Sequence, residues 1–104
     1  MKLRRNARVW WEQLQADVST GLPQLARDEF TFTRDFAEIA FWCPNGTNRI
    51  CRQRITRGEA KHPVWHWDGN EDAPTITPSI GCDHRCGWHG HITAGVTAPS
   101  TEQQ

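Results

Sequence analysis

The chain has no excess charge of either sign: 12 Lys and Arg stand against 12 Asp and Glu, for a formal net charge of zero. That balance excludes a global electrostatic pull toward nucleic acid or an anionic membrane, so any basic surface has to be local. Hydrophobic residues are scarce, at 37% of 104. No apolar run approaches the roughly 18 residues that a membrane-spanning helix requires. No charged-then-apolar leader with a small-residue cleavage site is present either, and no internal repeat is found. The expectation is a cytoplasmic protein with no membrane partner.

What is present in quantity is aromatic and metal-ligating. Six Trp and four Phe supply large buried areas wherever they point inward. The length suits a single domain with one core and one site. A small domain with a thin core usually needs a staple, and four Cys with five His make metal and disulfide the two candidates. A reducing compartment disfavours disulfides and keeps thiolates available, which favours zinc.

Residues 2–18 contain no Gly or Pro, and Leu3, Ala7, Trp10, Trp11 and Leu14 fall near helical spacing. The pattern predicts an amphipathic helix over about 3–18, ended by Ser19-Thr20-Gly21 and Leu22-Pro23. Its other face carries Lys2, Arg4, Arg5 and Arg8, either a solvated basic face or a phosphate contact, with Arg4, Arg5 and Arg8 the candidate nucleic-acid residues. From Glu29, Phe30 and Phe32 alternate with polar residues as in a half-buried strand. Residues 38–43, the turn residues 44–47 and residues 48–56 read as a β-hairpin. Short extended pieces follow at 64–67, 75–77 and 91–93. The segment after Gly95 lacks apolar anchors and is expected to be a flexible tail, 96–104. The fold expected is α+β: a small antiparallel, zinc-ribbon-like sheet with an N-terminal helix, forming one zinc-binding domain over 1–95.

The densest chemistry lies in Gly81–His91, which packs Cys82, Cys86, His84, His89 and His91 into one stretch flanked by glycines. The spacing Cys82-x3-Cys86-x2-His89 lets three ligands converge on one Zn2+, and a structural zinc needs a fourth. Cys43, at the mouth of the Pro-Asn-Gly turn, is the ligand expected from elsewhere in the chain, and Cys51 is the alternative to Cys82. With a four-residue loop, Cys43 pairs with Asn48 and Cys51 with Ala40. That register puts the two cysteines on opposite faces and disfavours Cys51. His84 and His91 read as supporting or exposed groups.

Four ordered motifs carry a resemblance: Phe41-Trp42-Cys43-Pro44-Asn45-Gly46, Trp65-His66-Trp67-Asp68-Gly69-Asn70, Asp72 through Ile80, and Cys86-Gly87-Trp88-His89-Gly90. Over residues 38–95 the chain resembles the DUF6527 family of bacteria and bacteriophages, some members of which lie beside genes of ubiquitin-like conjugation systems. The resemblance implies metal binding and no established reaction. That family usually has further cysteines where this chain has Asn45 and Thr47, and Cys82 is the residue here that replaces the missing ligand.

In Pro74-Thr75-Ile76-Thr77-Pro78-Ser79-Ile80 the two prolines favour an extended connector, with Ile76 and Ile80 packed inward. A structural role is expected rather than a catalytic serine, because no His and acid pair can be assigned to Ser79 from the sequence. Trp65, Trp67 and Trp88 read as packing around the metal. Three functions follow. The preferred one is a non-catalytic zinc-stabilised interaction module that binds a host or phage protein. The alternatives are a small nucleic-acid-binding zinc protein, through Arg4, Arg5, Arg8 and the arginines at 49, 52 and 54, and a zinc hydrolase with Glu38, Asp68, Glu71 or Asp83 as base.

Overall fold

The computed structural model describes residues 1–17, 25–46, 49–81 and 88–99, with the side chains of 15–17 left aside. The chain runs β1 (Arg4–Arg5), α1 (Trp11–Asp17), β2 (Glu29–Phe32), β3 (Glu38–Trp42), β4 (Ile50–Thr56), β5 (Trp65–Trp67), β6 (Ile76–Gly81), β7 (His89–Thr93) and β8 (Val96–Pro99). The strands lie in that order in one eight-stranded sheet. It curls into a half-barrel around Phe30, Phe32, Ile39, Phe41, Ile76 and Ile92, all essentially inaccessible to solvent. Burying each such side chain stabilises the fold by about 1.5–3 kcal/mol. The α+β, zinc-ribbon expectation is therefore corrected to a nearly all-β half-barrel. Two of its strand pairs, β1 with β2 and β4 with β5, are parallel rather than antiparallel.

The N-terminal segment explains much of that correction. Residues 2–9 do not form the expected helix; residues 2–6 join the two ends of the sheet and residues 7–8 turn. Arg4 N–H donates to Asp28 O (2.7 Å) and Asn6 N–H to Phe30 O (3.0 Å), while Leu3 N–H donates to Gly95 O (2.8 Å) and Thr97 N–H to Met1 O (2.9 Å). Open sheet edges have unpaired backbone groups, and pairing them outweighs the few tenths of a kcal/mol per residue that favour helix. Leu3 is buried in the core either way. The helix that does form, Trp11–Asp17, is seven residues long. Its N-terminus is capped by Gln13, whose Oε1 accepts the Trp10 N–H at 2.8 Å.

The C-terminal expectation changes for a related reason. Residues 96–99 form β8, paired with β7 from Gly90↔Pro99 to Thr93↔Val96. Ala94 and Gly95 both have positive φ (49° and 77°), which matches the two-residue turn that twists correctly between adjacent strands. Few apolar anchors are needed here, because β8 has backbone partners on both sides. The remainder of the expected tail, 100–104, lies outside the described residues.

In the β3–β4 hairpin, Phe41 pairs with Cys51 and Trp42 with Ile50. The Cys43 N–H accordingly donates to Arg49 O at 2.9 Å. The loop is one residue longer than the four-residue turn expected, and that single step puts Cys43 and Cys51 on the same, inward face. Both are buried and both are disulfide-bonded.

Candidate active site

The outer face of the half-barrel presents a different set of side chains. In β6, Ile76 and Ile80 point into the core and Ser79 lies half-buried on the opposite side. In β7, Gly90 and Ile92 point inward, and His89 is half-buried outside. Antiparallel pairing sets Gly81 opposite His89 and Ile80 opposite Gly90. Ser79 and His89 are therefore diagonal neighbours on one face, within reach of each other. Ser79 Oγ and His89 Nε2 lie 3.0 Å apart, at hydrogen-bond distance.

The neighbours hold this pair in place. Trp88, just before His89, is buried edge-on to Phe41, with centroids 5.9 Å apart, and fixes the start of β7 in the core. Gly90, just after it, packs closely against β8. A Cβ built there would run into the Ala98 carbonyl oxygen and lie 2.6 Å from Trp88 Cζ2. Only glycine fits that position without moving a strand. The His89 ring lies over Gly81, its Cδ2 3.8 Å from where a Cβ would stand. On the other flank, the Trp65 indole N–H donates to the Ser79 carbonyl oxygen at 2.9 Å.

A serine hydroxyl within 3.0 Å of an imidazole nitrogen can be activated as a nucleophile, with the imidazole as general base. With the ring proton on Nδ1, Nε2 accepts the Oγ–H bond. Among the described residues no carboxylate completes the pair as a third member. The acids weighed as bases have other partners. Asp68 Oδ1 accepts the Asn70 and Thr75 N–H groups, Glu71 pairs with Arg5 at 2.7 Å, and Glu38 pairs with Arg52. Asp83 lies outside the described residues.

Of the expected metal ligands, His89 faces Ser79, Cys43 and the alternative Cys51 are disulfide-bonded, and Cys82 and Cys86 lie outside the described residues, as does His84. Among the described residues no group of three or more His, Cys, Asp and Glu is arranged to hold a metal. His62 stacks edge-on against Trp65 at 5.5 Å, and His66 and His91 are exposed on the outer face. The expected basic patch is dispersed. Arg4 forks onto Asp28, with its Nε 2.8 Å from Asp28 Oδ2. The hydrogen bond from Arg4 is the main cause holding the Asp28 carboxyl below its usual range. Arg5 sits over the rings of Trp10, Phe32 and Phe36 at 5.6–5.8 Å, and Arg8 is exposed.

With this geometry in view, the family can be assigned. The family model of the bacterial ubiquitination-like system serine protease, BubE, matches residues 18–99. The chain belongs to the BubE family. No curated protein and no solved structure gives a significant match.

BubE membership replaces the DUF6527 resemblance as the family assignment. It also overturns the reading of the chain as a non-catalytic zinc-stabilised module, and with it the nucleic-acid-binding and zinc-ribbon readings. The zinc-hydrolase alternative shares hydrolysis with a BubE serine protease and nothing else. Ser79, expected from the sequence to be structural, is the residue whose hydroxyl the fold sets beside His89. A parity signal could have found it: in an antiparallel hairpin that pairs residues 81 and 89, the odd-numbered residues of both strands share a face. No helix among the described residues is long and apolar enough to cross a membrane.

Proposed function

We propose that this chain is a serine protease acting on protein substrates of a bacterial ubiquitination-like system, with Ser79 as nucleophile and His89 as general base. The observation that carries the reading is the 3.0 Å approach of Ser79 Oγ to His89 Nε2 on the solvent-facing side of the sheet. Family membership supplies the reaction class.

The chemistry follows from these two groups. Ser79 Oγ attacks the scissile carbonyl carbon as its proton passes to His89 Nε2, and the carbonyl electrons move to oxygen. The intermediate collapses, the C–N bond breaks, and the imidazolium returns its proton to the departing amine. Water then attacks the acyl-Ser79 ester with His89 again as base, releasing the acid and restoring the hydroxyl. The Ile80↔Gly90 and Gly81↔His89 pairs next to Ser79 bring the two side chains together before substrate arrives, so little ordering remains to be done. Half-burial shields the pair from bulk water while leaving one side open to an extended chain.

The test is hydrolysis of a bacterial ubiquitin-like protein fused at its C-terminus to a reporter, followed by gel and mass spectrometry. Ser79→Ala and His89→Ala should each lower the rate by about a thousandfold or more, without loss of fold. Full activity in either variant contradicts the assignment.

A further inference from the structure

Ser79 sits where both of its backbone ladders fail. Toward β7, the register shifts between Ile76, which pairs with Ile92, and Ile80, which pairs with Gly90. Ser79 falls inside that irregularity. Toward β5, the pairing His66↔Thr77 and Trp67↔Ile76 would place Val64 opposite Ser79 if it continued. It does not continue, because residues 61–64 turn back and the Val64 N–H donates to Lys61 O at 2.8 Å.

The donor that a regular sheet would supply to the Ser79 carbonyl is replaced by the Trp65 indole N–H, at 2.9 Å. The indole is itself braced. The His62 ring meets it edge-on at 5.5 Å, and Gln53 Nε2 on β4 donates to Pro63 O at 3.2 Å, pinning the turn. A carbonyl that is half-buried and lacks a ladder partner is mobile unless something holds it, and the Ser79 Cα and Oγ move with it.

We propose that Trp65 is a positioning residue for the nucleophile: its indole N–H holds the Ser79 carbonyl and so keeps Oγ within reach of His89 Nε2. The role rests on Ser79 being the nucleophile. Trp67 supplies an internal control, since its indole N–H also donates to a backbone carbonyl, that of Asn70 at 3.0 Å, away from the pair.

The experiment measures labelling of the full chain by a small fluorophosphonate. In that step Ser79 Oγ forms the O–P bond, the P–F bond breaks with release of fluoride, and the proton goes to His89. At position 65, and separately at 67, Trp is replaced by its benzothienyl isostere, which keeps the two rings and removes the N–H. Trp65→Phe serves as a second variant. At 65 the maximal labelling rate should fall by about tenfold, with the half-saturating probe concentration and the unfolding temperature little changed. At 67 the rate should hold. An unchanged rate at 65, equal losses at 65 and 67, or a loss that only tracks the folded fraction overturns the role of Trp65. Failure of the unsubstituted chain to label at Ser79 would instead remove the nucleophile assignment on which it stands.

Discussion

Two hairpins of one sheet put their reactive side chains to opposite uses. In β3–β4, Cys43 and Cys51 point inward, are buried beside Phe41, and are held in disulfides. In β6–β7, Ser79 and His89 point outward, are half-buried, and are held by a hydrogen bond. The side-chain period of a strand is two, so a single step of register decides whether a reactive group becomes part of the core or part of a site. The first hairpin stabilises the wall on which the second keeps its chemistry.

The sharpest way to break the comparison is reduction. A thiol reductant should cost about 2–4 kcal/mol of stability for each disulfide opened, read as a lower urea midpoint, because the unfolded chain regains its freedom. Below that midpoint Ser79 labelling should continue, since the outer pair contains no sulfur. Loss of labelling in a chain that remains folded would show that the two hairpins are not independent.

How much of this was legible from the residues differs from one hairpin to the other. The strands at 29–33 and 38–56 declare themselves by alternation and by Pro44-Asn45-Gly46, yet the cysteine faces came out reversed, because loop length is uncertain by the one residue that matters. The N-terminal segment has helical spacing at Leu3, Trp10, Trp11 and Leu14, but the two sheet edges it closes are distant in sequence, and no local pattern reports them. Ser79 reads as structural just after Pro78 because its partner, ten residues on, is identified only by the strand register. Cys82 and Cys86 attracted the metal reading by local density. Both lie outside the described residues.

A smaller effect separates the two faces of β7. Gly90→Ala should cost about 1–3 kcal/mol by thermal unfolding, because the added methyl meets the Ala98 carbonyl and Trp88. It should also slow Ser79 labelling in the fraction that stays folded, since His89 is the adjacent residue. An alanine that leaves both unchanged would mean that β8 is not held against β7 as described. Treatment with a strong chelator is expected to leave labelling and unfolding unchanged. A shift of either, with metal found by native mass spectrometry, would bring a bound ion back into the account.

The smallest effect lies in the turn between β2 and β3. Asp35 accepts from the Thr33 hydroxyl at 2.8 Å and from the Ala37 N–H at 3.0 Å. These hydrogen bonds, that from Thr33 foremost, hold its carboxyl below the usual range. A carboxyl depressed in the folded state adds stability above its unfolded value of about 4, and that contribution disappears as pH falls through the folded value. Asp35→Asn should flatten this acid limb of the unfolding temperature slightly, with Ser79 labelling untouched at neutral pH. An unaltered limb would assign the acid sensitivity elsewhere.

The most direct test of the central claim is intact-mass analysis of the chain after incubation with a fluorophosphonate, followed by peptide mapping. The account predicts one adduct, on Ser79, abolished by prior denaturation and by His89→Ala. No adduct, or an adduct on another serine or threonine with Ser79 unmodified, would contradict it.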